Sequence, residues 1–220
     1  MVRASRVALL VAVSAGIAAL SVTASKFPSP SAARFGLARV VALPKQVVRF
    51  AQLLESHCEG VSACSDRDLS VADGDLLVTG GAEGRRFYVW FRGRGKYLRG
   101  WLPAVNVKEL PFDAHPASEK WEGTWTAEGM RKIVIGVDRA TGELTVGAHA
   151  EWYGARLDNG EQIIHTGDVQ GKAAPDGNRV LIHQDDCVLE LELVDAFLGA
   201  ADNMRCGGMN VSFSDVYART

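Results

Sequence analysis

The run Cys187-Val-Leu-Glu-Leu-Glu-Leu-Val194 alternates leucine with glutamate. Residues two apart share a face of a β-strand, so Leu189, Leu191 and Leu193 point one way and Glu190 and Glu192 the other. That pattern predicts a half-buried antiparallel strand with a solvated acidic exterior. The same period recurs upstream, where Ile133, Ile135 and Val137 alternate with polar or exposed positions. Further strand-like segments lie at 143–152, 163–171, 180–183 and 209–217. Asp138-Arg-Ala-Thr-Gly142, Asp158-Asn-Gly160 and Asp176-Gly-Asn178 supply turns between them. So many short strands, each with one apolar face, bury those faces and satisfy their edges most simply by curling into a closed or nearly closed barrel. Residues 119–220 are therefore expected to form an antiparallel β-barrel.

Residues 45–110 are expected to form a separate module. Its strand-like runs are Leu76-Leu-Val-Thr79, Arg86-Phe-Tyr-Val-Trp-Phe91 and Leu98-Arg-Gly-Trp-Leu-Pro103, with Gly80-Gly81 and Gly93-Arg-Gly95 as turns. A short helix is predicted ahead of them: Pro44 suits a first helical position, and Val47, Phe50, Ala51 and Leu54 recur at helical spacing. The fold class is thus all-β, two small barrels in series with one short helix before the first. The Pro-containing stretch from Leu110 to Ser118 is the seam between them.

The first residues read as an address. Arg3 and Arg6 precede an apolar run from Val7 to Leu20, and Val22-Thr23-Ala24 offers small residues for a signal peptidase. At about 14 residues the run falls short of the roughly 20 needed to span a bilayer, which argues for a signal peptide at 1–24 and against a permanent membrane anchor. Residues 25–44 are expected to be leader or linker. The chain carries 24 basic and 26 acidic side chains. Seven of the basic ones, and no acid, fall in residues 1–54, leaving an acidic body and no footprint of a nucleic-acid binder. Localisation is expected to be periplasmic or extracellular, where disulfides form. Three pairings of Cys58, Cys64, Cys187 and Cys206 are possible. Keeping each bridge inside one module favours Cys58 with Cys64 and Cys187 with Cys206.

The run Gly100-Trp-Leu-Pro-Ala104, closing a module of short strands, resembles the last strands of bacterial SH3-like domains. The likeness covers roughly the span from Cys58 to Leu110. It implies a half-open barrel that binds peptides or cell-wall glycans in an aromatic groove, without catalysis. Asp202-Asn-Met-Arg-Cys-Gly-Gly-Met-Asn-Val-Ser-Phe-Ser-Asp-Val-Tyr217, with Gly123-Thr-Trp125 and Cys187, resembles a family of exported bacterial domains over residues 120–219. Related segments accompany lysozyme-inhibitor-like domains as well as unrelated partners. Asp215 departs from that pattern, which has Gly there, and predicts an altered bend in the last strand.

Catalytic signatures are missing from the sequence: there is no Gly-x-Ser-x-Gly and no His-Glu-x-x-His, and each Cys has a candidate disulfide mate. No catalytic residue, metal site or cofactor is expected. His149, His165 and His183 fall in strands of one barrel, but scattered histidines read as surface or capped residues. Asp185-Asp186 reads as a turn before Cys187.

One stretch stands apart. Residues 85–101 hold Arg85, Arg86, Arg92, Arg94, Lys96 and Arg99 with no acid, interleaved with six aromatic residues. Alternation sends Phe87, Val89 and Phe91 into the core and lines the other face with Arg86, Tyr88 and Trp90. Arg86, Tyr88, Trp90, Arg92, Arg94, Lys96, Arg99 and Trp101 are the expected binding residues, for a cell-wall glycan or an anionic surface polymer. Two other readings are an inhibitor of a secreted hydrolase such as lysozyme, and a small-ligand barrel lined by Trp121, Trp125 and Trp152.

Overall fold

The computed structural model describes residues 35–58, 64–65 and 68–220. The expected signal peptide lies outside the described residues. Those residues build an almost entirely β structure in two modules, as the alternation predicts.

The first module is a six-stranded antiparallel sheet. Its strands are β1 (Gly36–Val40), β3 (Gln52–Cys58), β5 (Leu76–Glu83), β6 (Arg86–Gly93), β7 (Lys96–Pro103) and β8 (Val107–Leu110). They lie in the order β3-β7-β6-β5-β1-β8, and a ribbon of β2 (Val47–Arg49) with β4 (Ser70–Ala72) stands apart from them. Val48 and Val71 of the ribbon join Ala38, Val40, Leu77, Val89, Phe91, Leu98 and Leu102 in one core.

Three expectations fail here. No helix follows Pro44: Lys45 takes a left-handed backbone (φ 66°), the chain turns from Leu43 to Gln46, and β2 and β3 follow. Adjacent β-branched Val47 and Val48 favour extended chain, and the inward residues are Val48, Phe50 and Leu53 rather than a helical stripe. Residues 36–40, expected to be linker, form β1 between β5 and β8, with Ala38 and Val40 fully buried. Gly80-Gly81 is a bulge within β5 rather than a turn, because Trp90 lies over Gly80 where a Cβ would come within 2.5 Å of its ring. The tight turn is Arg94-Gly95, both at positive φ, the signature of a two-residue hairpin.

The second module is an eight-stranded antiparallel sheet. It comprises β9 (Gly123–Ala127), β10 (Arg131–Val137), β11 (Leu144–Arg156), β12 (Gln162–Ala173), β13 (Arg179–Gln184), β14 (Cys187–Val194), β15 (Phe197–Asp202) and β16 (Asp215–Arg219). The order β12-β11-β10-β9-β16-β15-β14-β13 joins two four-strand meanders through β9 and β16. The ends, β12 and β13, meet without a ladder. Gln184 fills the seam, its Oε1 accepting the Gln170 N–H at 2.6 Å, while Ile182 packs over Gly171. The barrel is thus nearly closed, around a core that includes Trp121, Trp125, Leu189, Leu191, Leu193, Phe213 and Tyr217.

Two details differ from expectation. β15 forms where no strand is predicted, and residues 209–214 are loop, so that the last strand begins at Asp215. Disulfides join Cys58 to Cys64 and Cys187 to Cys206.

Candidate functional site

The predicted alternation along β6 is what the structure contains. Val89 and Phe91 are buried in the core of the first sheet, with Phe87 packed against it, and Arg86, Tyr88, Trp90 and Arg92 take the outer face. Neighbouring strands extend this face in rows. Tyr88 stands opposite Trp101 and Trp101 opposite Gln52; Trp90 stands opposite Arg99 and Arg99 opposite Glu55; Arg92 stands opposite Tyr97 and Tyr97 opposite His57.

Most of that face is covered by the barrel, which the sequence could not reveal. Phe35, Leu37, Val78, Trp90 and Tyr97 share one buried cluster with Val194, Ala201 and Val216 of the second module. Polar contacts close its rim. Arg92 donates from Nη1 to the carbonyls of Thr126 (3.0 Å) and Val216 (3.2 Å), and its Nη2 lies 3.6 Å from Glu128. The Tyr97 hydroxyl donates to Asp215 Oδ1 at 2.8 Å, and Arg131 reaches Asp215 Oδ2 at 3.2 Å. Burial, reinforced by the Asp215 charge, holds the Tyr97 phenol far above its ordinary value. Phe35 donates its backbone N–H to Glu192 Oε2 at 3.0 Å. Glu190 and Glu192 therefore do not form a solvated exterior. Both are 4% exposed, Glu190 paired with Arg179 and Glu192 also bound by Asn178.

The eight expected binding residues consequently separate into three groups. Trp90, Arg92 and Arg99 belong to the covered part; Arg99 is bridged to Glu55 at 2.5 Å with its side chain 15% exposed. Arg94 and Lys96 lie at the hairpin turn, where Arg94 pairs with Asp75 and Lys96 donates to the carbonyls of Asp68 and Ser70, both at 2.8 Å. Arg86, Tyr88 and Trp101 form a shelf at the uncovered end of the outer face. The Arg86 guanidinium stacks 5.2 Å from the Trp101 ring centroid, and Tyr88 meets Trp101 edge-on at 5.2 Å. Arg85 is exposed beside them, and Glu83 lies 3.6 Å from Arg86. Burial raises the Tyr88 phenol, and among the described residues its buried hydroxyl has no hydrogen-bond partner, so Tyr88 contributes its ring to the shelf.

The remaining suggestions are placed as follows. His149 bonds Asp168 and Glu151, while His165 bonds the Met209 carbonyl, so the barrel histidines do not converge. Among the described residues no three His, Cys, Asp or Glu are grouped to hold a metal ion. Trp121 and Trp125 are fully buried, the Trp125 indole donating to the Trp121 carbonyl, so they pack the barrel rather than line a mouth. No helix among the described residues is long and apolar enough to cross a membrane. No protein-family model, curated protein or solved structure matches the chain.

Proposed function

We propose that this is an exported, non-enzymatic binding protein of the bacterial envelope that holds a cell-wall glycan or other anionic surface polymer on the shelf of Arg85, Arg86, Tyr88 and Trp101. The observation that carries the reading is the arginine stacked on a partly buried indole at the open end of an otherwise covered face. An indole offers a sugar ring a flat apolar platform, and guanidinium groups hold carboxylate or phosphate through paired N–H donors. The two disulfides fit an oxidising compartment. Of the rest of the strip, Arg92 ties the first module to the barrel, Arg99 pairs with Glu55, and Arg94 and Lys96 lie at the hairpin turn, so the contact is smaller than the sequence predicts.

Co-sedimentation with cell-wall sacculi tests it. The protein pellets at low salt and is released at high salt, as expected when part of the attraction is screened over about 8 Å at physiological ionic strength. Trp101→Ala, and Arg85 and Arg86 changed together to Ala, each abolish pelleting. Undiminished pelleting by both variants would refute the shelf.

A second reading, inhibition of a secreted hydrolase, draws on the β11–β12 hairpin. β10 pairs with β11 only as far as His149, and beyond it the hairpin carries exposed Tyr153, Leu157 and Ile164 among the acids Glu151, Asp158 and Glu161. Inhibition of a basic muramidase that is lost on Tyr153→Ala and kept on Trp101→Ala would favour this alternative.

A further inference from the structure

The turn end of the basic strip faces a different part of the molecule from the shelf. Arg94 and Lys96 meet the β2–β4 ribbon, which packs on the inner face of the sheet, and leave a cleft of about 270 Å³. One wall is apolar and compact, made by Val47, Val71 and Ala72. The other carries Arg94 and Lys96 together with Asp68 and Ser70. The charged groups of Arg94 and Lys96 stand 5.4 and 5.9 Å from the centroid of the same Phe91 ring.

Among the described residues, Lys96 has a donor to spare at this cleft. An ammonium has three N–H donors, and Lys96 gives two to the Asp68 and Ser70 carbonyls. Among the described residues no carboxylate comes within 4 Å of its nitrogen, whereas Arg94 has Asp75. The acids nearby are engaged: Asp75 also accepts the Ala72 N–H at 2.7 Å, and Asp68 accepts the Ser65 N–H at 3.1 Å. Burial, with the charge of Arg94, pulls the Lys96 pKa below its ordinary value against the opposing charges of Asp68 and Asp75.

We infer that this cleft is a second binding site, for a small oxyanion, carboxylate or phosphate, held between Lys96 and Arg94 with any short aliphatic substituent against Val47, Val71 and Ala72. The ion completes the donor set of Lys96 and offsets the proximity of two like charges over one ring. The site is independent of the shelf, since it uses neither Arg86 nor Trp101.

The test is an NMR titration of the full disulfide-bonded protein with inorganic phosphate and, separately, with propionate, following the amides of Gly93, Gly95 and Lys96. Saturable shifts with a dissociation constant of about 1–10 mM are expected, the range of a few charge-assisted bonds at a partly exposed site. Lys96→Met keeps the aliphatic stem and weakens binding about tenfold or more. Arg94→Asn is the second variant, because Asn tolerates the left-handed backbone at this position (φ 54°), and it weakens binding in the same direction should Lys96→Met not fold. Saturation by phosphate alone identifies a phosphate site, and saturation by propionate alone identifies a carboxylate site that uses the apolar wall. Shifts that stay linear to about 50 mM for both probes, or that are the same in the variants as in the parent, would overturn the inference. Trp101→Ala retains the shifts, so failure of the shelf and failure of this cleft give different results.

Discussion

Asp215 shows how one residue acquires a role that its neighbours in sequence do not announce. A carboxylate 1% exposed is costly unless paired, and here it accepts from the Tyr97 hydroxyl of the other module and from Arg131 of its own. The phenol is held neutral by burial, and Tyr217, fully buried, is held likewise. Above the ordinary tyrosine value of 10.0 the unfolded chain loses phenolic protons that the folded chain keeps. Stability from these groups is thus fully present below about pH 10 and falls as pH rises beyond it. A phenolate absorbance titration should show Tyr97 and Tyr217 ionising only together with loss of tertiary structure. Tyr97→Phe removes one of the two from that late step and costs about 1–3 kcal/mol in urea unfolding, because Asp215 stays buried with one donor fewer. Four tyrosines ionising in a single step near pH 10 in the folded protein would contradict this bond.

Elements were legible where alternation is strong and obscure where side chains are small. β10 and β14 follow directly from isoleucine and leucine at every second position. β15, Phe-Leu-Gly-Ala-Ala-Asp, has little hydrophobic contrast, and β1 is short and lies in a stretch whose composition resembles a leader. The faces of β6 follow from alternation, yet which face meets water depends on a partner module, touched by Arg92 at positions 34 and 124 residues away. Glu190 and Glu192 mislead for the same reason: period two assigns them to the side away from the leucines, and tertiary packing covers that side. The seam between β12 and β13 is also invisible to periodicity, since a side chain does the work of a ladder. Gln184→Ala leaves the Gln170 N–H without its acceptor. Hydrogen exchange at that amide should quicken about fivefold, the equivalent of about 1 kcal/mol, while amides in β14 and β15 keep their rates. Unchanged exchange at Gln170 would mean that the seam is closed by something other than Gln184.

At the scale of the whole molecule, the two modules share a core rather than hang from a linker. Trp90 and Phe35 lie 5.5 Å apart with Val194, Ala201 and Val216 packed around them, all under 9% exposed. An interface of this kind, apolar at the centre and ion-paired at the rim by Arg92 and Glu128, resembles the interior of one domain more than a docking of two. Separating the modules would expose Val194 and Val216 on one side and Trp90 on the other, so neither is expected to open while the other stays folded. Calorimetry should therefore record one transition, with van't Hoff and calorimetric enthalpies in agreement. Gly199 permits the fit: a Cβ there would fall 2.4 Å from the Phe35 ring. Gly199→Val drives a wedge into the interface while leaving the barrel core, closed by Leu189, Leu191 and Leu193 and stapled by Cys187–Cys206, on the far side of the sheet. The single transition should split in two, with the first module melting earlier and the disulfide-bonded barrel later. Two transitions in the unaltered protein would show that the shared cluster does not couple the modules.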